Sequence, residues 1–312
     1  MRTTYVSEWT LNLQQSLGKN TVFEIGYVGN SGHRLKAERS INLPQPGPGN
    51  LQLRRPWQNI GFVQFSDGNG NTNYNALQMK VQRSFSNGFT LLSSYTWSKS
   101  LDNTSGARPG GGDVLFPGNP FDLGRGERGL SSFDVRHRWV TSGLAESPVG
   151  KNRTYSFGPI ADALLGKWQV GGILTLQSGG PFTVVSGTDI ANIGNGYTSR
   201  PNLTGSPIQL SHPTVSKWFN ASAFVKQPAH TFGNAGRNIV EGPGVLDLDM
   251  SLMKTIPLGD RVSTQLRWEV FNVANHPIFS LPNGTLSSTT FGAISSTKID
   301  NREMQLAARI VF

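Results

Sequence analysis

The sequence ends on Glu303-Met304-Gln305-Leu306-Ala307-Ala308-Arg309-Ile310-Val311-Phe312, and Met304, Leu306, Ala308, Ile310 and Phe312 put an apolar residue at every even position. Glu303, Gln305 and Arg309 stand among the odd ones. A period of two sends alternate side chains to opposite faces of an extended chain, so the segment reads as a strand with one apolar face. In a helix the same residues would be spread around the whole circumference.

The alternation recurs. Trp9, Leu11 and Leu13 alternate with Thr10, Asn12 and Gln14; after Gly18-Lys19-Asn20, Phe23, Ile25 and Tyr27 alternate with Glu24 and Gly26. Leu77, Met79, Val81 and Phe85 alternate with Gln78, Lys80, Gln82 and Ser84, and Asn87-Gly88, a strong hairpin signal, leads into Phe89, Leu91, Tyr95 and Trp97. Trp168, Val170, Gly172, Leu174 and Leu176 form a further set, and Leu246, Leu248, Met250 and Leu252 another. Pro257-Leu258-Gly259-Asp260 then turns into Val262, Thr264, Leu266, Trp268 and Val270. The segment 134–145 is the least regular strand candidate, because its apolar residues hold no single parity.

This makes about nine strands of roughly ten residues, the length a tilted strand needs to cross a bilayer, whereas strands of soluble sandwiches average nearer five or six. The connections add a second regularity. Short ones at 18–20, 86–88 and 257–260 alternate with long ones at about 30–72, 100–132, 178–244 and 273–300, with 146–166 intermediate. Transmembrane barrels sort short turns to one side of the membrane and long loops to the other. The expected fold is therefore all-β: an antiparallel meander forming part of a large transmembrane β-barrel, an open curved sheet when taken alone. The competing expectation is a compact two-sheet sandwich with its apolar faces turned inward, as in a soluble carbohydrate-binding domain.

Composition agrees with the barrel. No stretch approaches the roughly 18 apolar residues of a membrane-spanning helix, while alternating strands average to an ordinary hydropathy, here −0.30. The net charge of +9 comes from scattered Lys and Arg, with Arg54-Arg55 the only adjacent pair, which describes a solvated basic surface and not a nucleic-acid groove. The absence of cysteine removes disulfides and thiolate chemistry. Residues 1–20 lack the pattern of a signal peptide.

On this reading Lys80, Asp247, Asp249, Arg267, Glu269, Glu303 and Arg309 line a polar lumen. Trp9, Tyr27, Phe85, Phe89, Trp97, Trp168 and Trp268 are the candidates for interfacial aromatic girdles. Catalytic and metal-binding patterns are weak. Gly124-Arg125-Gly126-Glu127-Arg128-Gly129 fits G-x-G-x-x-G without a preceding buried strand or a following amphipathic helix. His33, His137, His212, His230 and His276 show no ligand spacing, and Ser178-Gly179-Gly180-Pro181-Phe182 reads as a strand end, not a nucleophile. No cofactor and no enzymatic activity are expected. The long loops carry Trp57, Phe62, Phe65, Phe116, Phe121, Trp218, Phe219 and Phe224, which either stack on planar ligands or sugar rings or pack on one another.

Several collinear segments carry a family resemblance. "NYNALQMKVQRSFSNGFTLLSSYTWSKSLDN" (73–103), "FDVRHRWVTSG" (133–143), "GKWQVGGILTLQSGGPFTV" (166–184), "RPNL" (200–203), "WFNASAF" (218–224), "FGNAGRNIVEGPGVLDLDMSLMKTIPL" (232–258), "LRWEVFNVANHPIF" (266–279) and the terminal strand resemble the C-terminal barrel of TonB-dependent outer-membrane receptors, specifically the Oar-like group. The resemblance implies a barrel of about 22 strands closed by an N-terminal plug. It further implies the outer membrane of a Gram-negative-type bacterium and an energy-coupling inner-membrane complex acting through the N-terminal part. Uptake would be of a small molecule or oligosaccharide: a sugar, an iron chelate or a peptide. It also makes Met304, Leu306, Ala308, Ile310 and Phe312 the signal that the barrel assembly machinery reads. Residues 1–312 show no plug, carboxypeptidase-regulatory-like domain or coupling box, so the chain is expected to be the C-terminal portion of such a receptor. An adhesion or structural barrel without energised transport is the alternative.

Overall fold

The computed structural model describes residues 3–312 except 87, 106–115, 125, 151–152, 196–198 and 260, and at 85 and 86 the backbone only. In chain order the elements are β1 (Tyr5–Ser16), β2 (Thr21–Ser40), β3 (Gln64–Ser86), β4 (Phe89–Asp102), the short β5 (Gly129–Leu130), β6 (His137–Glu146), helix α1 (Pro159–Leu165) and β7 (Trp168–Gln177). Four two-residue strands follow, β8 (Pro181–Phe182), β9 (Asn202–Leu203), β10 (Phe224–Val225) and β11 (Val240–Glu241). The chain closes with β12 (Val245–Pro257), β13 (Ser263–Phe271) and β14 (Glu303–Val311).

The nine long strands form one antiparallel meander in the order β1-β2-β3-β4-β6-β7-β12-β13-β14. The sheet is open: β1 pairs only with β2 and β14 only with β13, which leaves an edge at each side. Register preserves parity along the apolar rows, and the irregularities lie outside them, between His33 and Ala37 of β2 and between Arg83 and Ser86 of β3. One row runs Leu13, Ile25, Met79, Tyr95, Trp139, Leu176 and Leu246 across seven strands, and another runs Leu252, Trp268 and Leu306. A slip by one residue anywhere would have sent one strand's apolar set to the opposite face. The apolar face is uncovered, with Leu13 65%, Ile310 63% and Leu306 83% exposed. Among the described residues no second sheet packs on it, which rules out the sandwich.

β6 is a full member of the sheet, paired with β4 and β7. Its parity is hard to read because Val140 and Leu144 share the face of Arg138 and Ser142, while Thr141 and Gly143 join Trp139 on the apolar face. β2 and β3, at 20 and 23 residues, are about twice the expected length. Their upper halves, Ser31–Ser40 against 64–73, continue the ladder past what a bilayer covers, and the β2–β3 loop is 41–63 rather than 30–72.

The short turns 17–20, 87–88 and 258–262 lie at one rim together with the 147–167 connection that contains α1. Loops 41–63, 103–136, 178–244 and 272–302 lie at the other. Among the described residues the buried apolar clusters lie outside the main sheet, in which Ala76 of β3 is a lone buried apolar residue. The larger cluster is built from the long loops, around Phe182, Val184, Phe219, Ala223, Phe224, Ala235 and Val240.

Candidate functional site

The long loops fold into a cap. Phe219 is fully buried at its centre, with ring centroids 5.1 Å from Phe291, 5.8 Å from Phe224 and 5.9 Å from Phe182. Edge-on and tilted contacts of this kind add to plain area burial. β8 pairs with β11 and β9 with β10, so residues far apart in sequence are clamped together. Gly179 shows why the strand end needs glycine: a Cβ there would lie 1.8 Å from the Gly242 carbonyl oxygen. Ser178 accepts the His137 amide at 3.0 Å, a structural task for the residue opening this motif.

Buried charge ties the cap to the sheet. The Arg237 guanidinium pairs with Asp102 at the end of β4, and donates to the Asp102 carbonyl at 2.8 Å, the Glu127 carbonyl at 2.9 Å and the Ser105 hydroxyl at 3.1 Å. Glu127 in turn pairs with Arg200, and its other oxygen accepts the Gly118 amide at 2.9 Å. All four charged side chains are at most 5% exposed. Removing one member of such a buried pair leaves the other charge uncompensated in a low-dielectric setting. At the far side Asn42 closes loop 41–63 through three carbonyls, of Trp57, Ile60 and Gly61. Asn192 links that loop to 178–244 by donating to the Gly47 and Gly49 carbonyls.

The face on which the cap sits is decided by parity. Ser98, Ser100 and Asp102 are buried and belong to the polar face of β4, with Ser94 and Thr96. Ser98 donates to the Val135 carbonyl at 2.7 Å, Ser100 meets the Ser131 hydroxyl at 2.7 Å, and Asp102 receives Arg237. The cap therefore roofs the polar face at the long-loop rim. Burial pushes the Asp134 carboxyl above the usual carboxylate range, opposed by the Ser100 amide that it accepts. Beneath the roof is a hollow of about 250 Å³, lined by Tyr74, Gln78, Thr96, Phe133, Asp134 and Arg138. It offers hydroxyl, amide, carboxyl and guanidinium groups around two aromatic rings, a mixture suited to a polar ligand with many hydrogen-bonding groups.

Lys80, Asp247, Asp249, Arg267, Glu269, Glu303 and Arg309 all stand on this polar face by register. Lys80 pairs with Glu24 at 2.6 Å, Arg267 with Glu269, and Asp249 accepts the Asn272 amide at 2.9 Å. Lys80 stands on β3 and the other six on β12, β13 and β14, so they do not converge on one centre. Trp9, Tyr27, Phe89, Trp97, Trp168 and Trp268 stand on the apolar face, as do Met304, Leu306, Ala308 and Ile310, with Phe312 just beyond the end of β14. Trp268 is internal to β13 and not at a strand end, and the side chain of Phe85 lies outside the described residues, as does Asn87 of its turn. Arg125 of the glycine-rich motif and Asp260 of the β12–β13 turn lie outside them too.

Of the loop aromatics, Phe219 and Phe224 are core residues and are removed from the ligand-stacking set, while Trp57, Phe62, Phe65 and Phe121 remain at least 40% exposed. Sequence reasoning missed the Asp102, Glu127, Arg200 and Arg237 network, whose members have no periodic relation. It also missed Lys254, which had a usable signal: a lysine on the apolar parity of β12, between Leu252 and Ile256.

A family model described as an outer membrane beta barrel domain matches residues 1–305. No curated protein matches the chain. Among solved structures, the outer membrane transporter YddB from Escherichia coli superposes with a TM-score of 0.51 at 12% identity, over 99% of this chain and 33% of that one. P. aeruginosa FpvA, solved with heterologous pyoverdines, gives 0.48 at 10% identity, over 98% of this chain and 27% of that one. The chain thus spans a third or less of the length of these solved structures.

Proposed function

The chain belongs to the outer membrane beta-barrel domain family, and we propose that it is the C-terminal portion of a TonB-dependent receptor of the Oar-like group, taking up a nutrient across the outer membrane. The observation that carries this reading is the cap: loops 178–244 and 272–302 folded around a core of their own and fixed to the polar face, with a hollow of about 250 Å³ on that face. Trp57, Phe62, Phe65 and Phe121, exposed among the long loops and their margins, are the proposed first contacts of an arriving ligand. Beyond the hollow lie Lys80, Asp247, Asp249, Arg267, Glu269, Glu303 and Arg309 as a polar lumen wall. Sugars or oligosaccharides, iron chelates and peptides all fit this mixture of aromatic and polar groups.

The two free sheet edges support a larger barrel, because unpaired backbone groups in hydrocarbon cost several kcal/mol each. In that barrel β1 and β14 pair with strands outside this chain, a plug fills the lumen, and an inner-membrane complex drives opening through the N-terminal part. No catalytic step is assigned. The test is the DNA immediately upstream of the Met1 codon. A continuous reading frame encoding a plug and an energy-coupling box is the expected result. A complete gene without them contradicts energised uptake and favours an adhesion or structural barrel.

The outward row Met304, Leu306, Ala308, Ile310 and Phe312 is proposed as the signal taken by the barrel assembly machinery. Phe312 is 96% exposed, so its removal leaves no cavity and has little effect on the folded sheet. Deleting it from the full-length protein is expected to lower the carbonate-resistant, heat-modifiable fraction while leaving secretion across the inner membrane unchanged. Equal assembly of the deletion and the parent contradicts this role.

A further inference from the structure

Lys254 stands on the apolar parity of β12, where a free ammonium is strongly disfavoured near hydrocarbon. It is not free. Its Nζ donates to the carbonyls of Ala163 at 2.7 Å, Leu164 at 3.0 Å and Gly166, and lies 5.0 Å from the Trp168 ring centroid. These carbonyls are the C-terminal end of α1, where the helix leaves acceptors without intrahelical partners and concentrates partial negative charge. Trp168, also on the outward face, adds an indole N–H to the Leu164 carbonyl at 2.8 Å. α1 is thereby held on the outside of the sheet at the short-turn rim.

Its free side is apolar. Phe157, Ile160 and Leu164, at spacings of three and four, are 65%, 79% and 66% exposed, and Leu165 beside them is 53% exposed. Asp162 holds Phe157 to this stripe by accepting its amide at 2.8 Å and the Ser156 hydroxyl at 2.6 Å, and these bonds keep its carboxyl below the usual range. Arg153, paired with Glu146 at 2.7 Å, and Lys167 flank the stripe in sequence.

We propose that α1 is an interfacial element that sinks Phe157, Ile160, Leu164 and Leu165 into the periplasmic leaflet of the outer membrane, while its C-terminal carbonyls neutralise the outward Lys254. The occupant is lipid because Lys254 and Trp168 tie the stripe to the apolar face of β7 and β12, and Lys167 beside it suits phosphate headgroups. The inference rests on the barrel's membrane placement and is independent of what the barrel transports.

The chain has no cysteine, so one introduced thiol reports one position. Ile160→Cys and Leu164→Cys, each carrying an environment-sensitive dye, are compared in the full-length protein inserted into phosphatidylethanolamine/phosphatidylglycerol vesicles. The lipids carry a spin label near the headgroup or at mid-chain. Lys19→Cys, in another turn of the same rim, is the aqueous reference, and Leu306→Cys on β14 the hydrocarbon reference. Both α1 positions are exposed, so the substitutions leave the packing intact. Headgroup-region quenching at Ile160 and Leu164 is expected to exceed that at Lys19 by about twofold or more. Quenching at Leu306 with Ile160 and Leu164 matching Lys19 overturns the inference and leaves the barrel standing. Absence of quenching at Leu306 as well removes the barrel reading and the inference with it.

Discussion

Leu174→Arg is expected to cost about 2–4 kcal/mol of bilayer-inserted stability, while Thr175→Arg next to it is expected to cost less than about 1 kcal/mol. The two positions are adjacent on β7, a central strand, and differ in the face they occupy. Leu174 lies in register with Thr141 and Leu248 on the apolar face, so its replacement drives a guanidinium into hydrocarbon. Thr175 lies between Val140 and Asp247 on the polar face, where an added cation finds a carboxylate across the ladder. Denaturant titration of the heat-modifiable form in vesicles reads both. Equal losses, or the larger loss at Thr175, contradict the assignment of faces.

The second large effect is expected in the cap. Arg237→Ala leaves Asp102 buried without its counter-charge and removes donors from the Asp102 and Glu127 carbonyls. Breaking one half of a buried pair costs about 3–5 kcal/mol. That loss falls on the cap and not on the sheet, whose ladders run below it. Limited proteolysis within 200–240 and amide exchange there are expected to rise steeply, with strand ladders from β6 to β14 keeping their protection. Pairing Arg237→Met with Asp102→Leu removes both charges together and is expected to restore most of the resistance. Unchanged proteolysis in Arg237→Ala contradicts the role of this pair as the anchor.

The sheet was legible in the sequence because its physics is periodic. Each strand separates a lipid-facing from a water-facing side, and the rows through Leu13 to Leu246 and through Leu252 to Leu306 are that separation written seven and three strands wide. β6 was the weakest because Val140 and Leu144 turn inward and Gly143 outward, so hydropathy and direction disagree. The upper halves of β2 and β3 were missed for a different reason. Above the bilayer both faces meet water or cap, and residues such as Ser31, His33 and Arg39 alternate with nothing apolar. The cap was invisible: Phe182, Phe219, Phe224 and Phe291 come together from two loops with no common period, and Arg237 reaches Asp102 across 135 positions. α1, seven residues long, is too short for a helical period to register, and its place is fixed by one lysine on a strand.

The central claim is that one face of this sheet meets lipid and the other a water-filled interior. Single cysteines at Leu174, Thr175, Leu176 and Gln177 in the outer-membrane-inserted protein, treated with a membrane-impermeant thiol reagent, measure it directly. Thr175→Cys and Gln177→Cys are expected to react, and Leu174→Cys and Leu176→Cys to stay protected until the membrane is dissolved. Uniform reactivity, or the opposite alternation, would contradict the account.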